Sequence, residues 1–457
     1  MKNLVTISFL RRFWDLSWPT VLYSILESAV GIVDIFLASY LGAEAVAAIG
    51  FSRQIYLIMM IGTLSITTGT ITLVSQSYGA KRYDTASSAA SHSLFLSMLA
   101  GVVLGAVGVW LARPSLLLLG AESQALEGGT LYLRVLMGGV VFLMINFSTN
   151  AIFRALGDMV TPLKIASWVN VLNVIFSYVL IFGVGPCPAF GVMGVAMGTI
   201  LARAVGSVIA IQMLRKPGRL VRVSMRARWD LSIYRGILSV GLPSGFAGFF
   251  RNGARILFFR ILAVTAAGTT AVAAATIGFQ IRTFVIMPAL AFQVATATLV
   301  GQSIGGQKID QAEAYGWTAI QFCSVLMALA SLLIFLLPEQ IMRVFSDSAG
   351  VIEAGCWALR FIALEQLCNS ISIIISGALT GAGDTRPALR YTIWSQWMLM
   401  LPLAYLLVYC TSWDVSGAWL AWGFAPILQL LLTFRRFLQG NWKEIRVPGV
   451  ISDISDQ

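Results

Sequence analysis

From residue 14 to residue 434 the chain alternates between long apolar runs and short polar breaks, and each run is long enough to cross roughly 30 Å of hydrocarbon as a helix of about 20 residues. Twelve such runs can be delimited, near 14–40, 46–77, 88–111, 129–153, 163–184, 191–214, 237–263, 272–301, 315–337, 351–379, 388–409 and 415–434. No strand-like alternation competes with this pattern, so the expected fold class is an all-α membrane protein of twelve transmembrane helices. The first run is too long for the apolar region of a cleavable signal peptide, and no small-residue cleavage site interrupts it.

Composition agrees with the pattern: 58% of the 457 residues are hydrophobic and 11% charged, with a mean hydropathy of +0.83. A water-soluble globule of that make-up would lack the polar surface to cover itself. The basic residues then set an orientation. Of 31 Lys and Arg, 21 fall in the N-terminal arm, alternate loops and the C-terminal tail, two in the intervening loops (Arg113 and Arg343), and eight within spans. Under the positive-inside rule this puts both termini in the cytoplasm, in a cell (inner) membrane, with an even number of crossings. The net charge of +11 is accounted for by topology and anionic lipid heads. The densest basic stretch, RKPGRLVRVSMRARWD, lies in the central cytoplasmic loop, which argues against nucleic acid as a partner.

The chain also repeats itself. Residues 72–86, TLVSQSYGAKRYDTA, align without gaps on 298–312, TLVGQSIGGQKIDQA, with eight identities at an offset of 226. The same offset carries Gly157-Asp158 onto Gly383-Asp384. Six spans separate corresponding points, so the two halves share one orientation, an arrangement found in transporters with the binding cavity between repeats. The expected divisions are an N-lobe at 1–214, a basic cytoplasmic linker at 215–236, a C-lobe at 237–437 and a tail at 438–457.

Chemistry-bearing residues are few. One histidine, His92, and five cysteines without paired spacing leave little material for a catalytic triad, a disulfide or a metal site, and they read as packing residues. No phosphate-binding GxxxxGK[ST] is present, so the chain is read as no enzyme, with no cofactor and no metal. What stands out is Asp34, in ESAVGIVDIFLASYLG (27–42). An ionised Asp at the bilayer centre costs roughly 2.5–3.5 kcal/mol on insertion scales, so it needs a partner, a proton or a water-filled space. Glu27 lies seven residues earlier on the same helical stripe. Asn170, Asn173 and Ser177 follow one another along one face of the fifth span. In the second half Arg251, Arg255 and Arg260 occupy the seventh span without an acid equivalent to Asp34, and Glu365 and Asn369 sit one turn apart in the tenth. Arg251 and Arg255 are expected to pair with Glu365 or Glu27, or with lipid phosphate. The prolines at 19, 162, 243, 288, 387 and 402 permit bends, and Asp158 and Asp384 are expected to cap the helices that follow them.

The order of VDIFLASYLGAEAVAAIG, SQSYGAKRYDTA, FRALGDMVTP and NVLNVIFSYVLIFG, and then GQSIGGQKIDQA, GALTGAGDTRPAL and LPLAYLL, resembles the multidrug and toxic compound extrusion (MATE) transporters over roughly 14–437. The lone acid of the first span is most similar to the DinF-type branch. The resemblance implies two six-helix lobes around a V-shaped cavity, and antiport of organic, often cationic, compounds against H⁺ or Na⁺. It also implies a coupling network of Asp34, Asn150 and Asn173. Ser177 departs from the family pattern, in which a second Asp often stands there. That shortage of anionic oxygen favours H⁺ over Na⁺. The implied partners are small organic substrates and membrane lipids, with the chain acting as a monomer. A lipid or glycolipid flippase of the same superfamily, whose cationic cavity would suit the arginines, is the alternative, with Na⁺-coupled antiport beside it.

Overall fold

The computed structural model describes residues 7–120, 123–224, 229–265, 268–411 and 413–450, and among them the regular structure is helical throughout. The first half supplies α1 (Ile7–Ser39), α2 (Ala43–Gly79), α3 (Tyr83–Leu118), α4 (Ser123–Gly138), α5 (Val140–Ala155), α6 (Val160–Phe182) and α7 (Val192–Arg215). The second supplies α8 (Leu231–Ala263), α9 (Gly268–Gly305), α10 (Ile309–Leu336), α11 (Pro338–Arg343), α12 (Ala349–Ala382), α13 (Arg386–Thr392), α14 (Leu401–Tyr409) and α15 (Asp414–Gln439).

Nine of the described helices are long and apolar enough to cross a membrane, or ten if α4 and α5 form one span. α2 and α8, at 37 and 33 residues, are long enough but not among them. In α8 the reason is Arg251 and Asn252, which dilute the apolar run. Two expected spans are interrupted. The one read at 129–153 bends by 47° where α4 meets α5, at the Gly138-Gly139 pair. The one read at 388–409 winds as a π-helix over Ile393–Met400 between α13 and α14. Pro402 has no N–H to return to the preceding turn, and the wider π register accommodates the missing bond.

The repeat is built into the backbone. Lys81 and Gln307, 226 residues apart, both take the left-handed conformation, with φ of 59° and 57°. Gly157 and Gly383, at the same offset, do so at 84° and 88°. The two matching turns therefore connect matching helices: α2 to α3 and α9 to α10 in one case, α5 to α6 and α12 to α13 in the other. After the second pair of turns the acids diverge. Asp158 accepts the Thr161 N–H at 3.0 Å and its hydroxyl at 2.7 Å, as expected of a cap. Asp384 accepts from Arg436 of α15 at 2.7 Å.

The chain forms two compact units, an N unit of Trp18–Gly245 with Val447–Gln457 and a C unit of Met1–Ser17 with Phe246–Arg446. The divisions fall inside α1 and α8, beside Pro19 and Pro243. The basic segment expected as a linker belongs to the N unit, because Val221 and Val223 are buried in its core with Ile233, Ile237, Val447 and Val450. Three side chains of α3 hold that segment by its backbone. Ser87 accepts the Arg222 N–H at 3.1 Å, Ser91 that of Ser224 at 2.9 Å, and His92 Nε2 that of Asp230 at 3.1 Å. His92 Nδ1, 2.8 Å from the Ser88 carbonyl, donates there, which fixes the neutral tautomer. Asp230 in turn starts α8, accepting the Ser232 hydroxyl at 2.7 Å and N–H at 2.8 Å. The hydroxyl bond, aided by the backbone, holds the Asp230 carboxyl below the usual carboxylate range.

Candidate functional site

In the N unit, α1, α6 and α7 bring one carboxylate and three neutral polar side chains together: Asp34, Asn173, Ser177 and Thr199. Asp34 is 6% exposed, Asn173 1% and Ser177 0%, so the cluster is closed to bulk solvent. The Thr199 hydroxyl lies 3.3 and 3.2 Å from the two Asp34 carboxylate oxygens, and Asn173 Nδ2 lies 3.5 Å from one of them. Asn173 Nδ2 also donates to Thr199 Oγ1 at 2.9 Å and approaches Ser177 Oγ at 3.4 Å. Its Oδ1 is buried and receives no hydrogen bond.

Close packing makes this possible. Gly194 and Gly198 of α7, one turn apart, lie directly on the α6 backbone; a Cβ on Gly198 would fall 2.5 Å from Ser177 N, and one on Gly194 2.6 Å from Leu180 O. Helices with small residues four apart can approach until their backbones touch, and Thr199, next to Gly198, is thereby brought to Asp34. Gly31 does similar work on α1. A Cβ there would fall 2.5 Å from the Arg53 guanidinium, which occupies the vacant position between Glu27 and Asp34.

The other residues read from the sequence separate into distinct groups. Glu27 accepts from Arg203 of α7 at 2.6 Å, with side chains 26% and 11% exposed. It therefore belongs to a fixed ion pair within the N unit, and its partner is not Arg251. Asn150 donates to the Tyr23 hydroxyl at 2.9 Å, and Arg154 stacks over the Tyr23 ring at 4.3 Å; this amide meets α1 below Asp34 instead of at it. Asn170 turns back onto the Ala166 carbonyl at 2.8 Å and joins no cluster. Among the described residues no group of three His, Cys, Asp or Glu is placed to hold a metal ion.

The C unit has a different chemistry. Glu365 of α12 has a fully buried side chain and takes a hydrogen bond from Arg282 of α9, whose guanidinium also lies 5.9 Å from the Trp422 ring. That engagement corrects the expected pairing of Glu365 with Arg251 or Arg255. Both of those side chains are exposed, and Arg255 Nη2 donates to the neutral Asn252 at 3.1 Å. Asn369 Nδ2, one turn beyond Glu365, is buried with no acceptor.

Sequence reasoning missed Thr199, Arg203, Arg53 and Arg282. Thr199 carried a usable signal, the GxxxG spacing of Gly194 and Gly198 immediately before it. The three arginines carried none, because each finds its place only against another helix far away in the chain.

The MatE family profile matches residues 19–179 and 243–406. Across the curated proteins the chain is 28% identical to the probable multidrug resistance protein NorM of Thermotoga maritima, covering 94% of this chain and 92% of that one. It is 25% identical to the uncharacterized transporter YisQ of Bacillus subtilis, with 94% of both covered. Among solved structures it superposes on the outward-facing conformation of a multidrug resistance MATE family transporter with a TM-score of 0.87 at 23% identity, covering 97% of this chain and 99% of that one. At that identity the match speaks for the fold. The two matched halves begin at the paired prolines and together take in the Asp34 helix, the equivalent turns and the seventh-span arginines, so the chain belongs to the MatE family of multi-pass membrane transporters, and it is not an enzyme.

Proposed function

We propose that this transporter exports organic, cationic or amphipathic compounds in exchange for H⁺ by alternating access, working as a monomer in the cell (inner) membrane with both termini cytoplasmic. The names of its relatives support export of drugs, and MATE structures have been solved in complex with MaD3S and MaL6. Asp34 in the first span also supports placing the chain in the DinF-type branch. The observation that carries proton coupling is Asp34: a buried carboxylate whose hydrogen bonds come from neutral groups, with the Arg53 and Arg203 charges acting on it through space, while the neighbouring acid Glu27 is already paired with Arg203.

The geometry suggests how a proton is held and given up. With Asp34 ionised, the Thr199 hydroxyl and the Asn173 amide both point hydrogen at it. With Asp34 protonated, Thr199 has a second acceptor ready, the Val195 carbonyl at 3.1 Å. Turning the Asn173 amide over would offer its idle Oδ1 to the new carboxyl hydrogen. Both protonation states are thus provided with partners, which a group that changes state each cycle requires. Protonation from the outer side removes the negative charge that retains a cationic substrate, and deprotonation toward the cytoplasm restores it. The same idle oxygen is the feature that favours Na⁺ as a second reading, since it could join Asp34 and Thr199 as an oxygen ligand.

The test is efflux from proteoliposomes after a pH jump with no sodium present. Wild type should transport and Asp34→Asn, expressed and folded, should not. Undiminished efflux by Asp34→Asn, or transport that needs Na⁺ and ignores the pH gradient, would overturn the proposal.

A further inference from the structure

We propose that the C unit carries a binding site for an anionic head group, a carboxylate or phosphate on an apolar body, built on Arg251 and Arg255 of α8. The two arginines stand four residues apart and so share one face of the helix. Both are exposed, and among the described residues no carboxylate lies within ion-pair distance of either. Of the buried acids of this unit, Asp384 is engaged by Arg436 and Glu365 by Arg282, and Arg282 itself repels both arginines of α8. Three guanidinium groups thus share one carboxylate.

Such an excess is out of place in a membrane helix unless something balances it. Reaching the interface is not an escape: at 1.5 Å per residue, Arg255 and Arg251 lie about 12 and 18 Å from the C-terminal end of α8. Arg260 is near enough to that end to extend out of the hydrocarbon. Arg251 and Arg255 are therefore placed to take an anion that is not part of the unit.

The surroundings narrow its chemistry. A guanidinium offers a planar fork of donors that matches the paired oxygens of a carboxylate or phosphate. Arg255 already leans on Asn252, whose amide sits on the same exposed face. On the opposite face of the helix Trp397 packs on Gly253, where a Cβ would fall 3.2 Å from its ring, and donates to the Phe250 carbonyl at 2.9 Å. The Phe250 and Trp397 rings meet edge to face at 5.7 Å. That contact seats α8, and two guanidinium groups set along a predominantly apolar helix fit an anion carried on an apolar body better than a small, strongly hydrated inorganic ion. Two sources share that chemistry, a soluble organic anion and the head group of an acidic phospholipid.

The site does not rest on the coupling role of Asp34, and binding alone reads it out. The full-length protein in phosphatidylcholine nanodiscs would be titrated with an apolar fluorescent carboxylate dye and with a cationic dye of the same ring system. The wild type should bind the anionic dye, and its affinity for it should fall as salt rises. Losing two charge-assisted contacts in R251Q/R255Q should weaken that dye by about tenfold or more, with the cationic dye not weakened. Arg255→Lys, which keeps the charge, should retain most of the binding and controls for folding. Repeating the titration with phosphatidylglycerol in the nanodisc identifies the source. A dye displaced from wild type by that lipid marks a lipid head-group site, and an unaltered affinity marks a site for soluble anions. Equal binding of the anionic dye by wild type and R251Q/R255Q, wild-type binding insensitive to salt, or no wild-type binding of the anionic dye would each overturn the proposal.

Discussion

Thr199 has one hydrogen and two acceptors within reach, the Asp34 carboxylate at 3.2 Å and the Val195 carbonyl at 3.1 Å. Thr199→Val keeps the shape of the side chain and deletes that choice. A hydrogen bond to a charged group contributes roughly 1.5–3 kcal/mol, so pH-driven efflux should fall by about tenfold or more in Thr199→Val and recover in Thr199→Ser. Initial rates in proteoliposomes at matched protein content check this. Glu27 and Arg203 call for a different readout. Their 2.6 Å contact is largely removed from solvent, and breaking a buried pair by removing one partner costs about 3–5 kcal/mol. Glu27→Gln should therefore lower thermal stability markedly, and adding Arg203→Gln should restore much of the loss. A double variant no more stable than the single one would contradict a pair whose role is structural.

At the scale of helices, the arrangement at Asp34 depends on α6 and α7 touching. Gly198→Ala would press a methyl group onto Ser177, and overpacking of this kind costs about 1–3 kcal/mol. The expected result is a protein that folds with a lower melting temperature and transports poorly, because Thr199 is carried away from Asp34. Unchanged transport would show that the close approach is dispensable. The bonds from α3 to the backbone of Arg222, Ser224 and Asp230 make a separate prediction: His92→Phe leaves the Asp230 N–H without its acceptor, and exchange of that amide with solvent should speed up. Much at this scale was legible beforehand. Span lengths follow from the apolar runs, and the repeated turn motif turns out to carry matched left-handed residues at Lys81 and Gln307. The bend at Gly138-Gly139 and the π-helical stretch before Pro402 were not legible in detail. A proline or glycine pair permits such a departure without dictating it.

For the whole molecule, the helical class, the duplication and the family motifs could be read before any coordinates, since all three are repeated many times along the chain. The partners of individual charges are set once, by contacts between helices distant in sequence, and they were read less well. Asp34 and Asn173 do meet, whereas Glu365 turned out to be engaged by Arg282. The segment at 215–236 looked like a connector by its charge, yet its alternate valines at 221 and 223 anchor it in the N unit. The central claim, that one proton on Asp34 is exchanged for substrate, can be measured without transport. Purified protein in weakly buffered detergent near neutral pH would be mixed with a cationic substrate dye while proton release is followed with an indicator. If substrate and proton compete for Asp34, linkage requires release of up to about one proton per substrate bound by the wild type and essentially none by Asp34→Asn. Equal proton release by the two proteins, or substrate binding by wild type that displaces no proton at any pH between about 5 and 8, would contradict the account.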